Sequence, residues 1–243
     1  MKSNEQTGVV LIHGGGSSIG LAVAQELGQR GMTVVLHDAA RPAQAAEIAR
    51  SLSAEHPVFD FSDMPLDDGD IEFHLASIAE RCGRLDALVN LFVPDAGTGG
   101  RELQSYILAL YDRDLAAGGI IARHTDRGMI VNQFYLASSF ADTELGDRLA
   151  PARGAITGAT RTLCIKHGRI GVRVGGLLVG LLDAPEIKAL ASARVLAANT
   201  PLGRWAEPVD VAKSIAFLVL DSGYISGQML IMDGGLTAGV NGS

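Results

Sequence analysis

Val9-Val10-Leu11-Ile12-His13-Gly14-Gly15-Gly16-Ser17-Ser18-Ile19-Gly20 is an apolar run that feeds a glycine-rich turn. The run reads as a buried strand, the three consecutive glycines as a tight turn, and the amphipathic stretch Ile19 to Arg30 as the helix that follows. Strand, glycine turn and helix together make a phosphate cradle. Backbone N–H groups and the positive end of the helix dipole point at an anionic group, and glycine lets that group come close. Thr33-Val34-Val35-Leu36-His37-Asp38 reads as a second strand. Its closing acid lies roughly twenty residues past the turn, where a dinucleotide-binding unit carries its ribose-binding carboxylate.

Composition narrows the partners. A chain of 243 residues with 47% hydrophobic and 19% charged residues can bury one large core, and the reading is a single domain over residues 1–243. A formal net charge of -7 without a Lys/Arg run argues against nucleic acid or an anionic membrane as partner and favours a small-molecule ligand. Cys82 and Cys164 have neither metal-ligand nor redox spacing, so a reduced, cytoplasmic setting is expected and no metal site. Met1 to Thr7 is polar and runs straight into the first strand, so no signal peptide is expected, and no apolar stretch is long enough to span a bilayer.

Strand and helix patterns then alternate along the chain. Arg41 to Ala54 reads as a helix, Pro57 to Phe61 as a strand, Ile71 to Cys82 as a helix and Leu85 to Val93 as a strand stopped by Pro94. A long helix is expected from Glu102 to about Arg123, weakened or kinked at Gly118-Gly119. Met129 to Tyr135 is a strand, and Ala155 to His167 a helix expected to start near Pro151. Val172 to Gly180 is a strand, Ala184 to Ala198 and Val209 to Leu220 are helices, and Gln228 to Met232 is the last strand. The expected fold class is α/β: a Rossmann-type doubly wound sheet of seven mostly parallel strands with helices on both faces. Asp60 closes the third strand at the sheet edge where such folds collect ligands.

The pattern resembles the short-chain dehydrogenase/reductase family along essentially the whole chain. The most specific residues are Gly171-Val172-Arg173-Val174, then Pro201-Leu202-Gly203-Arg204-Trp205-Ala206-Glu207-Pro208, Tyr224-Ile225-Ser226-Gly227-Gln228 and Asp233-Gly234-Gly235. The family's cofactor turn maps onto His13 to Gly20, with His13 in place of its threonine and Ser18 in place of its middle glycine. The resemblance implies a cofactor set of Gly14, Ser17, Ser18, Ile19, Gly20, Asp38, Asp60 and Asn90. In it Asp60 touches the adenine, and Asp38 holds the ribose hydroxyls and repels a 2′-phosphate, favouring NAD(H) over NADP(H). Arg41, just past the second strand, is the group that would accept that phosphate.

The chain departs from the family in its catalytic residues. Members use a Tyr as acid/base, a Lys four residues later that lowers the tyrosine's pKa, a Ser and an Asn. Aligned on Thr157 to Leu163, the tyrosine position holds Leu149 and the lysine position Arg153. Aligned on Gly128 to Asn132, Tyr135 falls near the serine position, and the catalytic asparagine falls near Ile107. The family's Asn-Asn-Ala-Gly signature appears as Asn90-Leu91-Phe92-Val93. Tyr135 and Arg153 are the candidate catalytic pair, Tyr135 as acid and Arg153 as the cation beside it.

Three readings follow. The leading expectation is a degenerate family member with a dinucleotide-type pocket and no redox chemistry, a structural or partner subunit. The alternatives are an NAD(H)-dependent carbonyl/alcohol oxidoreductase with a rebuilt proton donor, and a cofactor-free lyase, isomerase or dehalogenase-like enzyme. Family resemblance further implies a dimer or tetramer through the two long helices, or a hetero-oligomer with an active homologue. His13, His37, His124 and His167 are expected to pack, cap elements or face solvent, Tyr106 and Tyr111 to serve an interface, and Asp142, Glu144 and Asp147 to lie in a loop before a helix.

Overall fold

The computed structural model describes residues 8–66, 69–95, 97–192, 195 and 200–238. The reading of Met1 to Thr7, and part of the helix expected over Ala184 to Ala198, lie outside the described residues. In chain order the elements are β1 (Val9–His13), α1 (Ser18–Gln29), β2 (Thr33–His37), α2 (Pro42–Leu52), β3 (Val58–Asp60), α3 (Ile71–Cys82), β4 (Ala87–Leu91) and α4 (Gly100–Ile121). They continue with β5 (Gly128–Tyr135), α5 (Glu144–Gly168), β6 (Val172–Val179), α6 (Pro185–Lys188), α7 (Pro208–Ala216) and β7 (Met229–Met232).

The strands form one sheet in the order β3-β2-β1-β4-β5-β6-β7, every pair parallel. The alternation of side chains along β1 explains why helices cover both faces. Val10 and Ile12 pack with Val23 and Leu27 of α1 and Ile215 of α7, whereas Val9 and Leu11 pack with Ile78 of α3 and Ile120 of α4. Strand order reverses between β1 and β4, so the crevice beyond their carboxyl ends is where this topology places a ligand.

Several expectations change. α4 continues through Gly118-Gly119 to Ile121, and a Cβ on Gly118 would run into the His167 ring, so the glycine lets α5 approach α4. α5 starts at Glu144, two turns before Pro151, so the proline lies inside the helix. Thr143 supplies the cap, its hydroxyl accepting from Gly146 N–H at 3.1 Å, and Glu144 and Asp147 complement the dipole in the first turn instead of lying in a loop. Among the described residues the helix after β6 is the four-residue α6. Leu115 of α4 is 38% exposed.

Candidate functional site

The glycine turn is built against the end of β2. Gly14 and Gly15 N–H donate to His37 O at 2.9 and 3.0 Å, and Gly16 N–H donates to Asp38 Oδ2 at 3.0 Å. Gly14 has φ 81°, and a Cβ there would strike Leu91 O, so both the turn and the close approach to β4 need glycine. Ser17 caps α1: its hydroxyl donates to Gly14 O and accepts from Gly20 N–H at 3.0 Å. The first three donors of the turn are thus spent within the chain, and the outward anion position falls to the first turn of α1, with Ile19 buried behind it.

That position holds a carboxylate. Ser18 N–H donates to Glu186 Oε1 at 3.0 Å, and the Ser18 hydroxyl donates to the same oxygen at 2.8 Å. Glu186 comes from α6, which enters on Pro185 just beyond β6, at the ligand-collecting edge. An oxyanion on these donors is what a phosphate cradle predicts, so the donor set fits the pyrophosphate of a dinucleotide.

Asp38 is 3% exposed, and its two oxygens accept from Gly16 N–H, Ala40 N–H, Arg41 N–H and Arg41 Nε–H, the last at 3.1 Å. It therefore orders the turn and holds the Arg41 guanidinium at the same time. Asp60 is exposed, and its Oδ1 accepts from both Ser62 N–H and the Ser62 hydroxyl, the latter at 2.6 Å. A cleft of about 190 Å³ opens between these groups, lined by His13, Gly14, Asp38, Arg41, Phe92 and Tyr106 among others. Tyr106 rests against Phe92, ring centroids 4.9 Å apart, and lines this cleft.

The Asn90 side chain is turned away from the cleft, into a buried polar row. β-sheet register places His37, His13, Asn90 and Asn132 side by side across β2, β1, β4 and β5. His13 Nδ1 and His37 Nδ1 lie 2.9 Å apart, and Asn90 Nδ2–H donates to Asn132 Oδ1 at 2.8 Å and Asp114 Oδ1 at 2.7 Å. Asn132 Nδ2–H donates to Asp114 Oδ2, and Arg113 Nε–H donates to Asn90 Oδ1, both at 2.8 Å. Arg113 and Asp114 of α4 are fully buried. Burial pushes the Asp114 carboxyl up to about 6 against the hydrogen bonds of Asn132 and Asn90 and the Arg113 charge. Burial first, then the charges of Arg113, His37 and Arg41, hold His13 well below the ordinary histidine range. His37 is thus a core residue and not the solvent-facing cap expected, and His167 is buried as well.

Tyr135 ends β5 on the opposite face of the sheet, fully buried, with Phe140 edge-on at 5.6 Å. Burial, reinforced by the Glu186 carboxylate, raises its hydroxyl above the ordinary phenol range, while the Gln133 amide and Arg41 act the other way. Among the described residues no hydrogen bond of good geometry reaches the Tyr135 hydroxyl. Arg153 is half-buried on α5, four residues after the buried Leu149 and so on the same helix face. Among the described residues no hydrogen bond links Arg153 to Tyr135; the cation that acts on the phenol is Arg41.

Sequence reasoning missed Glu186, the His13–His37 contact and the Arg113–Asp114 pair. Glu186 lies seven residues past the end of β6, and its contact with Ser18 spans 168 residues, so no local pattern announces it. Among the described residues no group of three or more His, Cys, Asp or Glu side chains is placed to hold a metal, and no helix is long and apolar enough to cross a membrane.

Comparison with known proteins places this geometry. A family model described as short chain dehydrogenase matches residues 8–101, and one described as Enoyl-(Acyl carrier protein) reductase matches residues 115–237. The chain is 30% identical over 246 residues to the cis-4-hydroxycyclohexanecarboxylate dehydrogenase of Sinomonas cyclohexanicum, covering 95% of this chain and 96% of that one. It is also 30% identical over 246 residues to the (2S)-[(R)-hydroxy(phenyl)methyl]succinyl-CoA dehydrogenase subunit BbsC of Thauera aromatica, covering 98% of each. A short-chain type dehydrogenase/reductase from Mycobacterium marinum shares the fold, with a TM-score of 0.82 at 17% identity over 96% of this chain and 97% of that one. Relatives named for redox reactions along their full length overturn the expectation of a non-redox, structural chain.

Proposed function

The chain belongs to the short-chain dehydrogenase/reductase family, and from that premise we propose that it is an oxidoreductase interconverting an alcohol and a carbonyl on a small molecule with NAD(P)(H). The observation that carries the reading is the α1 N-terminus at the sheet's switch point, where Ser18 already grips an oxyanion. The dinucleotide-binding fold supports NAD(P)(H) binding. When bound, the nicotinamide supplies or accepts the hydride.

The residues assigned to the cofactor are Gly14, Ser17, Ser18, Ile19 and Gly20 around the pyrophosphate, Asp38 at the ribose hydroxyls and Asp60 on the adenine side. Asn90 acts from beneath, holding β4 against β5 through Asn132. NAD(H) is the preferred form, because Asp38 places a negative charge at the ribose and ties up Arg41, the cation that would hold a 2′-phosphate. The family's Ser-Tyr-Lys machinery is replaced: with Leu149 at the tyrosine position, Tyr135 is the hydroxyl that gives its proton to the substrate oxygen in the reductive direction. It is protonated at neutral pH as any phenol is, and burial makes it a weaker acid than an ordinary phenol, opposite to the lowering that the family's lysine provides. Arg153 supplies a fixed positive charge on the α5 face and binds an anionic group without relaying protons.

The same reading places the protein in the cytoplasm, where Cys82 and Cys164 stay free, as one domain over residues 1–243. It also makes the protein an oligomer of its own copies, a dimer or tetramer. Leu108 and Leu115 on α4 and Ile165 on α5 are the exposed apolar side chains available for that contact. The test is a panel of secondary alcohols and ketones assayed by the change in nicotinamide absorbance. Turnover is expected in the wild type, with Tyr135→Phe abolishing it while leaving dinucleotide binding intact. Unchanged turnover in Tyr135→Phe would remove Tyr135 from the proton path.

A further inference from the structure

We infer that Glu186 sets how tightly this chain takes its dinucleotide: its carboxylate sits on the helix donors that the pyrophosphate needs and has to leave for the cofactor to enter. The inference rests on the dinucleotide-dependent reading above and goes beyond it.

Donor accounting is the first support. Gly14, Gly15 and Gly16 N–H are committed to the end of β2, and Gly20 N–H to Ser17, so the Ser18 N–H is a donor the turn offers outward. Both the Ser18 N–H and its hydroxyl go to one oxygen, Glu186 Oε1. A glycine at position 18 would present only the backbone donor; serine adds a second, so the residue that departs from the glycine turn is the one that holds the acid.

Charge is the second. Lys188, two residues on in α6, is paired with Asp183 at 2.6 Å and does not neutralise Glu186. The Glu186 charge is felt across the site, since it raises the Tyr135 hydroxyl, and a pyrophosphate brought to the same half-buried helix end would face it at close range. Space is the third. The cleft beside Asp38 measures about 190 Å³, below the ~300–1,000 Å³ usual for small-molecule sites, and neither Ser18 nor Glu186 lines it. With Glu186 in place, the adenosine side is open and the pyrophosphate position is filled. α6 is a single four-residue turn anchored by the buried Ile187, so the half-buried Glu186 side chain is the part that swings away.

The experiment is calorimetric titration of NADH and NADPH into the wild type and into Glu186→Gln, Glu186→Ala and Ser18→Gly. Glu186→Ala is expected to bind both dinucleotides about tenfold more tightly or better, Glu186→Gln to recover most of that gain by dropping the charge, and Ser18→Gly to recover part by dropping one tether. Equal or weaker binding by both Glu186 variants, with the wild type binding measurably, overturns the inference and leaves the oxidoreductase reading standing. Failure of every form to bind either dinucleotide defeats that reading, and this inference with it.

Discussion

His13 Nδ1 lies 2.9 Å from His37 Nδ1, with the two rings stacked 4.9 Å between centroids. His37 Nε2–H donates to Met64 O at 2.7 Å, so in the neutral ring its Nδ1 is bare and accepts from His13 Nδ1–H. An extra proton on His13 would go to its Nε2 and leave a cation buried near Arg113 and Arg41.

Acid should therefore loosen the fold through this pair. His13 has a native pKa below its unfolded value of 6.5, so the unfolded chain binds the extra proton first. The stabilisation is fully present above the unfolded pKa and is lost as pH falls below it. Urea midpoints measured between about pH 5 and pH 8 should drop on the acid side in the wild type, and less so in His13→Gln. The same drop in both proteins would assign the acid sensitivity elsewhere.

Asp114 has the opposite sign. Its native pKa of about 6 stands above the ordinary carboxylate value of 3.8, so the folded chain holds the proton and stability falls as pH rises through that window. Completing the ionisation costs on the order of 3 kcal/mol. Asp114→Asn should remove this falling limb, at the expense of one of the two amide bonds it accepts from Asn90 and Asn132. A pH profile identical to the wild type would show that Asp114 is charged throughout.

The α4–α5 contact can be tested with adjacent glycines. A Cβ on Gly118 runs into the His167 ring, whereas a Cβ on Gly119 meets nothing within 4 Å. Gly118→Ala should destabilise by about 1–3 kcal/mol, while Gly119→Ala should be neutral or stabilising by up to about 1 kcal/mol. Thermal melts of the two variants decide it; similar shifts in both would mean that the helices do not approach through Gly118.

Cofactor choice should turn on Asp38. Asp38→Ala removes the acid expected at the ribose and frees Arg41, now held at 3.1 Å, to meet a 2′-phosphate. The ratio of NADH to NADPH affinity should shift toward NADPH by about tenfold or more, with an overall loss of affinity because Gly16, Ala40 and Arg41 N–H lose their acceptor. An unchanged ratio would place the selectivity elsewhere.

What the sequence made legible was the part written in local pattern. The β1 run, its glycines and the acid at Asp38 were enough to place the cradle, and strand–helix alternation was enough for a seven-stranded parallel sheet. α3 is bounded as its apolar spacing predicts, at Ile71 and Cys82. The misreadings arose where a long-range contact overrides local preference. Pro151 looked like a helix start because the Thr143 cap two turns earlier was not weighed, and Gly118 looked like a kink because its partner, His167, is forty-nine residues away. The polar row from His37 to Asn132 depends on strand register, and Glu186 meets Ser18 across 168 residues, which no local pattern encodes.

Titration of the purified protein with NADH and NADPH tests directly whether this chain works with a nicotinamide dinucleotide. Energy transfer from Trp205, the one tryptophan, reports binding, and calorimetry gives the stoichiometry. Saturable binding of one dinucleotide per chain is expected, NADH ahead of NADPH. A folded protein that binds neither, in the wild type and in Glu186→Ala alike, would contradict it.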